Sequence, residues 1–189
     1  MEKRANILAL ATKISLESMT YTGITYNDPE YRILAPSVTD DMCSVAMHMR
    51  LETPRTAAEL ARRCNADVNF VQKQIDKLVE IGFARSRTTD GVLGYYYPIW
   101  VPGIMEGILS NNEQCEKYPD LGYSFEEYTR RRIELVAPTL SSGKLGMMFM
   151  RVMPVMSAIE NNTRTASYDE ISTLIENATA ISVGPCSCR

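Results

Sequence analysis

The sequence predicts a mainly α fold with a small β component, and three observations carry that expectation. Apolar residues recur at helical spacing behind capping residues, as in Ile7, Leu10 and Ile14, or Val68, Val71, Ile75, Leu78 and Val79. One place carries a strong hairpin signal, where Asp90-Gly91 joins two β-prone runs. Three helical patterns precede that hairpin within residues 39–100. The order helix, helix, helix, hairpin is that of a winged helix-turn-helix, and a smaller α+β segment follows it.

Residues 2–19 have the spacing of an amphipathic helix. Residues 21–37 lose that period and carry Gly23, Asn27, Asp28, Pro29 and Pro36, which predicts a loop packed by Tyr21, Tyr26 and Tyr31. From Thr39 an Asp40-Asp41 start leads into Met42, Val45, Ala46 and Met49, a short helix with an acidic first turn. Thr56-Ala57-Ala58-Glu59 has the form of a capping box, in which hydroxyl and carboxylate satisfy opposite orphan amides. Asp67 is the next N-cap, and Gly82 ends that helix in a left-handed conformation.

After the hairpin, the Tyr97 to Gly103 stretch is a stiff apolar linker, with Pro102 suited to the first turn of a short helix through Ile104, Ile108 and Leu109. Ser124-Phe125-Glu126-Glu127 predicts a capped helix ending before Pro138. Ser141-Ser142-Gly143 is a loop, and residues 145–156, with five methionines, are expected to be extended. Ser167-Tyr168-Asp169-Glu170 is a third capping box, followed by Ile171, Leu174, Ile175 and Ala178 on one helical stripe and a strand over residues 180–183. The expected organisation is an N-terminal helix and loop (1–38), the winged helix-turn-helix (39–100), and a segment leading into a truncated cluster domain (101–189).

Composition narrows the function classes. With 189 residues, 45% hydrophobic and 23% charged, the chain has the balance of an ordinary globular protein. A net charge of −3 argues against a general nucleic-acid coat. The apolar runs fall short of a membrane span, and the first residues lack the apolar core of a secretory signal. Five scattered cysteines make a poor disulfide framework, so a cytoplasmic location is expected. A phosphate-binding Gly loop, a nucleophile elbow and a Rossmann fingerprint are all missing, and catalysis by this chain alone is not expected.

The candidate metal site is Cys186 and Cys188, two thiols one residue apart behind a Gly184-Pro185 turn. They are half of a set, because a 4Fe–4S cluster takes four thiolates and a structural zinc takes four ligands. The run from Ile175 to Val183-Gly184-Pro185-Cys186-Ser187-Cys188-Arg189 resembles the approach to the ferredoxin-type domain in a family of anaerobe 4Fe–4S proteins. Val101-Pro102-Gly103-Ile104-Met105-Glu106 and Arg151-Val152-Met153-Pro154-Val155 resemble other recurring motifs of that family, so the similarity spans residues 40–189. The resemblance implies an N-terminal winged helix, a 4Fe–4S cluster in the longer protein with Cys186 and Cys188 as its first ligands, and electron transfer to a redox partner protein. It also implies that further cysteines follow this chain, as part of an oxidoreductase system.

A second class of function is open on the same residues, a winged-helix transcription regulator whose C-terminal cysteines sense redox state or metal. Asn69, Gln72 and Lys73, with Asp76, would then face base edges, and Arg85 and Arg87 would meet phosphates. A homodimer would present two such helices to successive major grooves. Residues 41–100 hold eight Lys or Arg against seven Asp or Glu, a net charge of +1, which is thin for counterion release. Arg62 and Arg63 could add to a basic face. Cys43, Cys64 and Cys115 are expected to be buried small side chains, His48 has no partner at motif spacing, and Arg130-Arg131-Arg132 is expected to be a solvated helix edge.

Overall fold

A computed structural model describes residues 3–141, 168–181 and 183 of the chain. Helices α1 (Ala5–Glu17), α2 (Pro29–Ser37), α3 (Asp40–Ala46), α4 (Ala57–Cys64) and α5 (Val68–Glu80) precede the strands β1 (Arg85–Thr89) and β2 (Val92–Tyr96). Helices α6 (Met105–Leu109), α7 (Asn112–Lys117), α8 (Leu121–Ser141) and α9 (Tyr168–Glu176) follow. The fold is mainly α with a small β component, and the helix, helix, helix, hairpin order is present in α3, α4, α5, β1 and β2.

Local chemistry explains these starts and stops. Glu59 N–H donates to the Thr56 hydroxyl at 3.2 Å while Thr56 N–H donates to the Glu59 carboxylate at 2.8 Å, which closes the predicted capping box of α4. Asp67 accepts from the amides of Asn69 and Phe70 and opens α5. Asp90 and Gly91 both take positive φ, 52° and 76°, as a two-residue turn matched to strand twist requires. The antiparallel register pairs Arg85 with Tyr96 and Thr89 with Val92. Arg55 bridges Tyr95 on the free side of β2, and Leu51 bridges Tyr97 just beyond it.

Four expectations are corrected. Residues 29–37 form α2 rather than loop: Pro29 occupies the first turn, where its missing N–H would be unpaired anyway, and Pro36 falls one residue from the end. Pro102 does not open a helix, because Trp100–Ile104 is an irregular turn with Val101 and Pro102 extended, and α6 starts at Met105. Ser124 is not a cap, since α8 begins at Leu121, buries Ser124 and runs through Pro138. Ala180, Ile181 and Val183 are exposed and form no strand. Helix α7, capped by Asn111 on the amide of Gln114, has no counterpart in the sequence reading. The methionine segment, Ser167 and the turn to the cysteines lie outside the described residues.

The described residues divide into two units, one running up to Ile133 and the other starting at Glu134. In the first, α1 packs on α2 and α3, and α5 packs on α3 and α4. Ile7, Leu10 and Ile14 of α1, Leu60 of α4, and Ile75 and Leu78 of α5 are fully buried in its core. Trp100 is also fully buried and donates its indole N–H to Ser15 at 2.9 Å, so the one polar atom it carries inside is satisfied. In the second unit, α9 exposes Ile171, Leu174 and Ile175, three residues of the apolar stripe read from the sequence.

Candidate functional site

The surface of α5 and the hairpin is the first candidate. Asn65, at φ 51°, ends α4 in the left-handed conformation, and the chain re-enters a helix three residues later. Asn69, Lys73, Asp76 and Glu80 follow at i, i+4, i+7 and i+11 and are all exposed. That face carries one lysine against two carboxylates. Gln72 is half-buried and donates its amide to Asp76 at 2.7 Å and to the Tyr95 hydroxyl at 3.2 Å.

Arg85 and Arg87 are two residues apart in β1 and share one face of the hairpin. Arg85 is exposed. Arg87 lies 3.4 Å from Glu52, donates to the Tyr96 hydroxyl at 3.1 Å and stacks 4.7 Å over the Tyr96 ring. Of the six residues expected to read nucleic acid, Asn69, Lys73 and Arg85 are therefore presented outward, whereas Gln72, Asp76 and Arg87 are held by neighbours. Exposed Val68, Phe70 and Val79 on α5, with Val92 and Leu93 at the hairpin, add apolar area to the same part of the molecule.

A second cluster lies where α1 meets the segment between α3 and α4. Lys13 donates to the Met49 carbonyl at 2.9 Å and to the Tyr97 hydroxyl, and it pairs with Glu17 at 3.1 Å. Tyr97 in turn donates to Glu17 at 2.6 Å. Burial lowers the Lys13 pKa and raises that of Tyr97. Burial alone would raise Glu17 as well, but the Tyr97 hydroxyl and the Lys13 ammonium outweigh it and hold the carboxyl below its usual range. Arg50 and Arg55 lie beside this network. The Arg55 pKa is lowered by burial and by the charges of Arg63 and Arg50.

Cys186 and Cys188 lie outside the described residues. Cys43 is buried, donates to the Asn6 carbonyl at 3.3 Å, and has a thiol pushed up to about 11 by burial and by Asp40. Cys115 donates to the Leu109 carbonyl at 3.3 Å, and burial raises the Cys64 thiol. Among the described residues no group of three His, Cys, Asp or Glu could hold a metal ion. The His48 carbonyl is engaged, by Arg55.

The arginine run of α8 is more than a solvated edge. Arg130 pairs with Glu126 one turn back, but Arg131 reaches Asp28 at 2.7 Å and Glu30 at 3.5 Å, and Arg32 reaches Glu127 at 2.5 Å. These contacts fasten α8 to the start of α2, and sequence spacing gave no signal for them. No described helix is long and apolar enough to cross a membrane. No family model, no curated protein and no solved structure matches this chain.

Proposed function

We propose that this chain is the N-terminal region of a cytoplasmic iron–sulfur electron-transfer protein, in which the winged-helix unit docks the cluster-bearing part onto a redox partner. Cys186 and Cys188 supply two of the four thiolates of a 4Fe–4S cluster, and further cysteines outside this chain supply the rest. The cluster carries the electron. The residues of this chain bind and position it.

The observation that supports docking over DNA recognition is the charge of the outward face of α5, where Lys73 stands against Asp76 and Glu80. Phosphate binding gains affinity by releasing counterions from each neutralised charge, and this face has almost nothing to neutralise them with. Arg87, the second expected phosphate contact, already has Glu52 and Tyr96 as partners. The DNA-binding regulator is favoured by one feature, the outward Lys73 and Arg85, which form no ion pair among the described residues.

Anaerobic reconstitution with ferrous iron and sulfide, carried out on the protein extended past Arg189, tests the cluster. The expected result is a brown chromophore with bound iron and labile sulfide, lost when Cys186→Ser and Cys188→Ser are combined. Colourless protein, or a chromophore that survives the double substitution, would sink the assignment. A salt-sensitive shift on duplex DNA, abolished by Lys73→Glu with Arg85→Glu, would select the regulator instead.

A further inference from the structure

Arg50 and Arg55 are brought alongside one another by backbone pairing with Tyr95 and Tyr97, and Arg63, on α4, lies within electrostatic reach of Arg55. Tyr97 N–H donates to the Arg50 carbonyl at 3.3 Å, and Arg55 and Tyr95 exchange both backbone bonds, at 3.0 and 2.8 Å. Helix α4 starts two residues after Arg55 and presents Arg63 in its last turn. Arg50 and Arg63 are exposed, and Arg55 is half-buried with one N–H on the His48 carbonyl.

The carboxylates nearest them are committed elsewhere. Glu17 accepts from Tyr97 at 2.6 Å, from Lys13 at 3.1 Å and from the Leu51 amide at 3.2 Å. Glu59 closes the capping box with Thr56 at 2.8 Å. None of the three guanidinium groups has an ion-pair partner among the described residues. Like charges held side by side oppose one another, and an anion placed between them removes that opposition.

We propose that this arginine cluster is a docking surface for a carboxylate-rich patch on a protein partner. The proposal rests on the reading of the winged-helix unit as a docking module and gives its partner a chemistry. Guanidinium groups meet carboxylates in a two-pronged geometry that favours a defined contact. The carboxylates of Glu17 and Glu59 lie within electrostatic reach of Arg55 and would repel a phosphate backbone running past it. A protein surface can instead place its acids over the arginines alone. Such complementarity speeds and orients encounter, as a transient electron-transfer contact requires.

The test uses a labelled oligoglutamate peptide, with a DNA duplex of matched charge as the second probe. Combining Arg50→Glu with Arg63→Glu is expected to weaken peptide binding by about tenfold or more, the scale of losing close charge pairs. Lys73→Glu with Arg85→Glu makes the same change in net charge on the other surface and is expected to change binding by less than about threefold. Both substituted arginines are exposed and unpaired, so the fold does not depend on them.

Equal loss in the two variants, or no loss in the arginine variant, overturns the proposal. So does tighter binding of the duplex that the arginine variant abolishes, since the surface would then serve nucleic acid. Peptide binding by a protein that forms no cluster would defeat the iron–sulfur reading and leave the surface standing.

Discussion

Glu30 is the one acidic side chain that the described fold buries completely, at 0% exposure. Its Oε2 reaches Arg131 at a long 3.5 Å, while its Oε1 has no partner. Asp28 takes the shorter contact to Arg131, and Glu127 from α8 adds a second negative charge, itself paired with Arg32. Burial, with Asp28 and Glu127, therefore raises the Glu30 pKa above 4.5 despite the pull of Arg131 and its own amide. Tyr128 and Tyr21 close the site, and Arg132 acts on the Tyr128 hydroxyl. A carboxyl whose folded pKa is raised contributes stability that is fully present below pH 4.5 and is lost as pH climbs through the folded value. Glu30→Gln resembles the protonated form and cannot ionise. Urea unfolding measured at several pH values is expected to show the variant gaining on the native protein as pH rises from 4.5 towards neutrality. Two parallel curves would mean that Glu30 titrates as an ordinary carboxyl. Tyr97→Phe acts differently, because it leaves Glu17 and Lys13 short of a partner in a half-buried site. It is expected to cost about 1–3 kcal/mol in the same unfolding measurement.

At the scale of elements, α6 is held against the end of α5 by two glycines. A Cβ on Gly107 would lie 2.1 Å from the Gly82 carbonyl oxygen, and one on Gly82 would lie 2.2 Å from the Gly107 oxygen. In an isolated helix Gly107→Ala would gain about 1 kcal/mol of helix propensity. Here the colliding atom is backbone and cannot rotate away, so the variant is expected to lose about 1–3 kcal/mol. A denaturant midpoint unchanged or raised by Gly107→Ala would show that the two helices can separate without cost. Elements set by neighbours in sequence were legible without a structure: the Thr56 and Glu59 box, the Asp67 cap and the Asp90-Gly91 turn each use residues within four positions. Helix α2 was not, because Pro29 and Pro36 read as breakers unless their places in its first and last turns are known. Ser124 misled for the converse reason. Its box-like spacing lies inside α8, where burial against the core decides its role. The arginine surface is the extreme case, since Arg50 and Arg55 are set side by side only once the Tyr95 to Tyr97 stretch has drawn the preceding segment alongside it.

For the molecule as a whole, the decisive question is how much of the chain the core in Met1–Ile133 needs. Its buried residues run from Ile7 to Tyr128, and the Asp28–Arg131 and Arg32–Glu127 pairs that fasten α8 to α2 fall within it too. Immediately past that point the described residues Ile133, Glu134 and Leu135 are exposed. A unit of this length buries enough surface to fold alone. Truncation after Ile133 is therefore expected to leave a monophasic thermal transition within about 4 °C of the longer chain, equivalent to about 1 kcal/mol. The oligoglutamate binding assigned to Arg50, Arg55 and Arg63 should survive the cut, because every group in that cluster lies between Lys13 and Tyr97. The cluster chemistry assigned to Cys186 and Cys188 should not, because both thiols are removed. Loss of cooperative melting on truncation would show that residues after Ile133 complete the core, and would join docking and cluster functions in one folding unit.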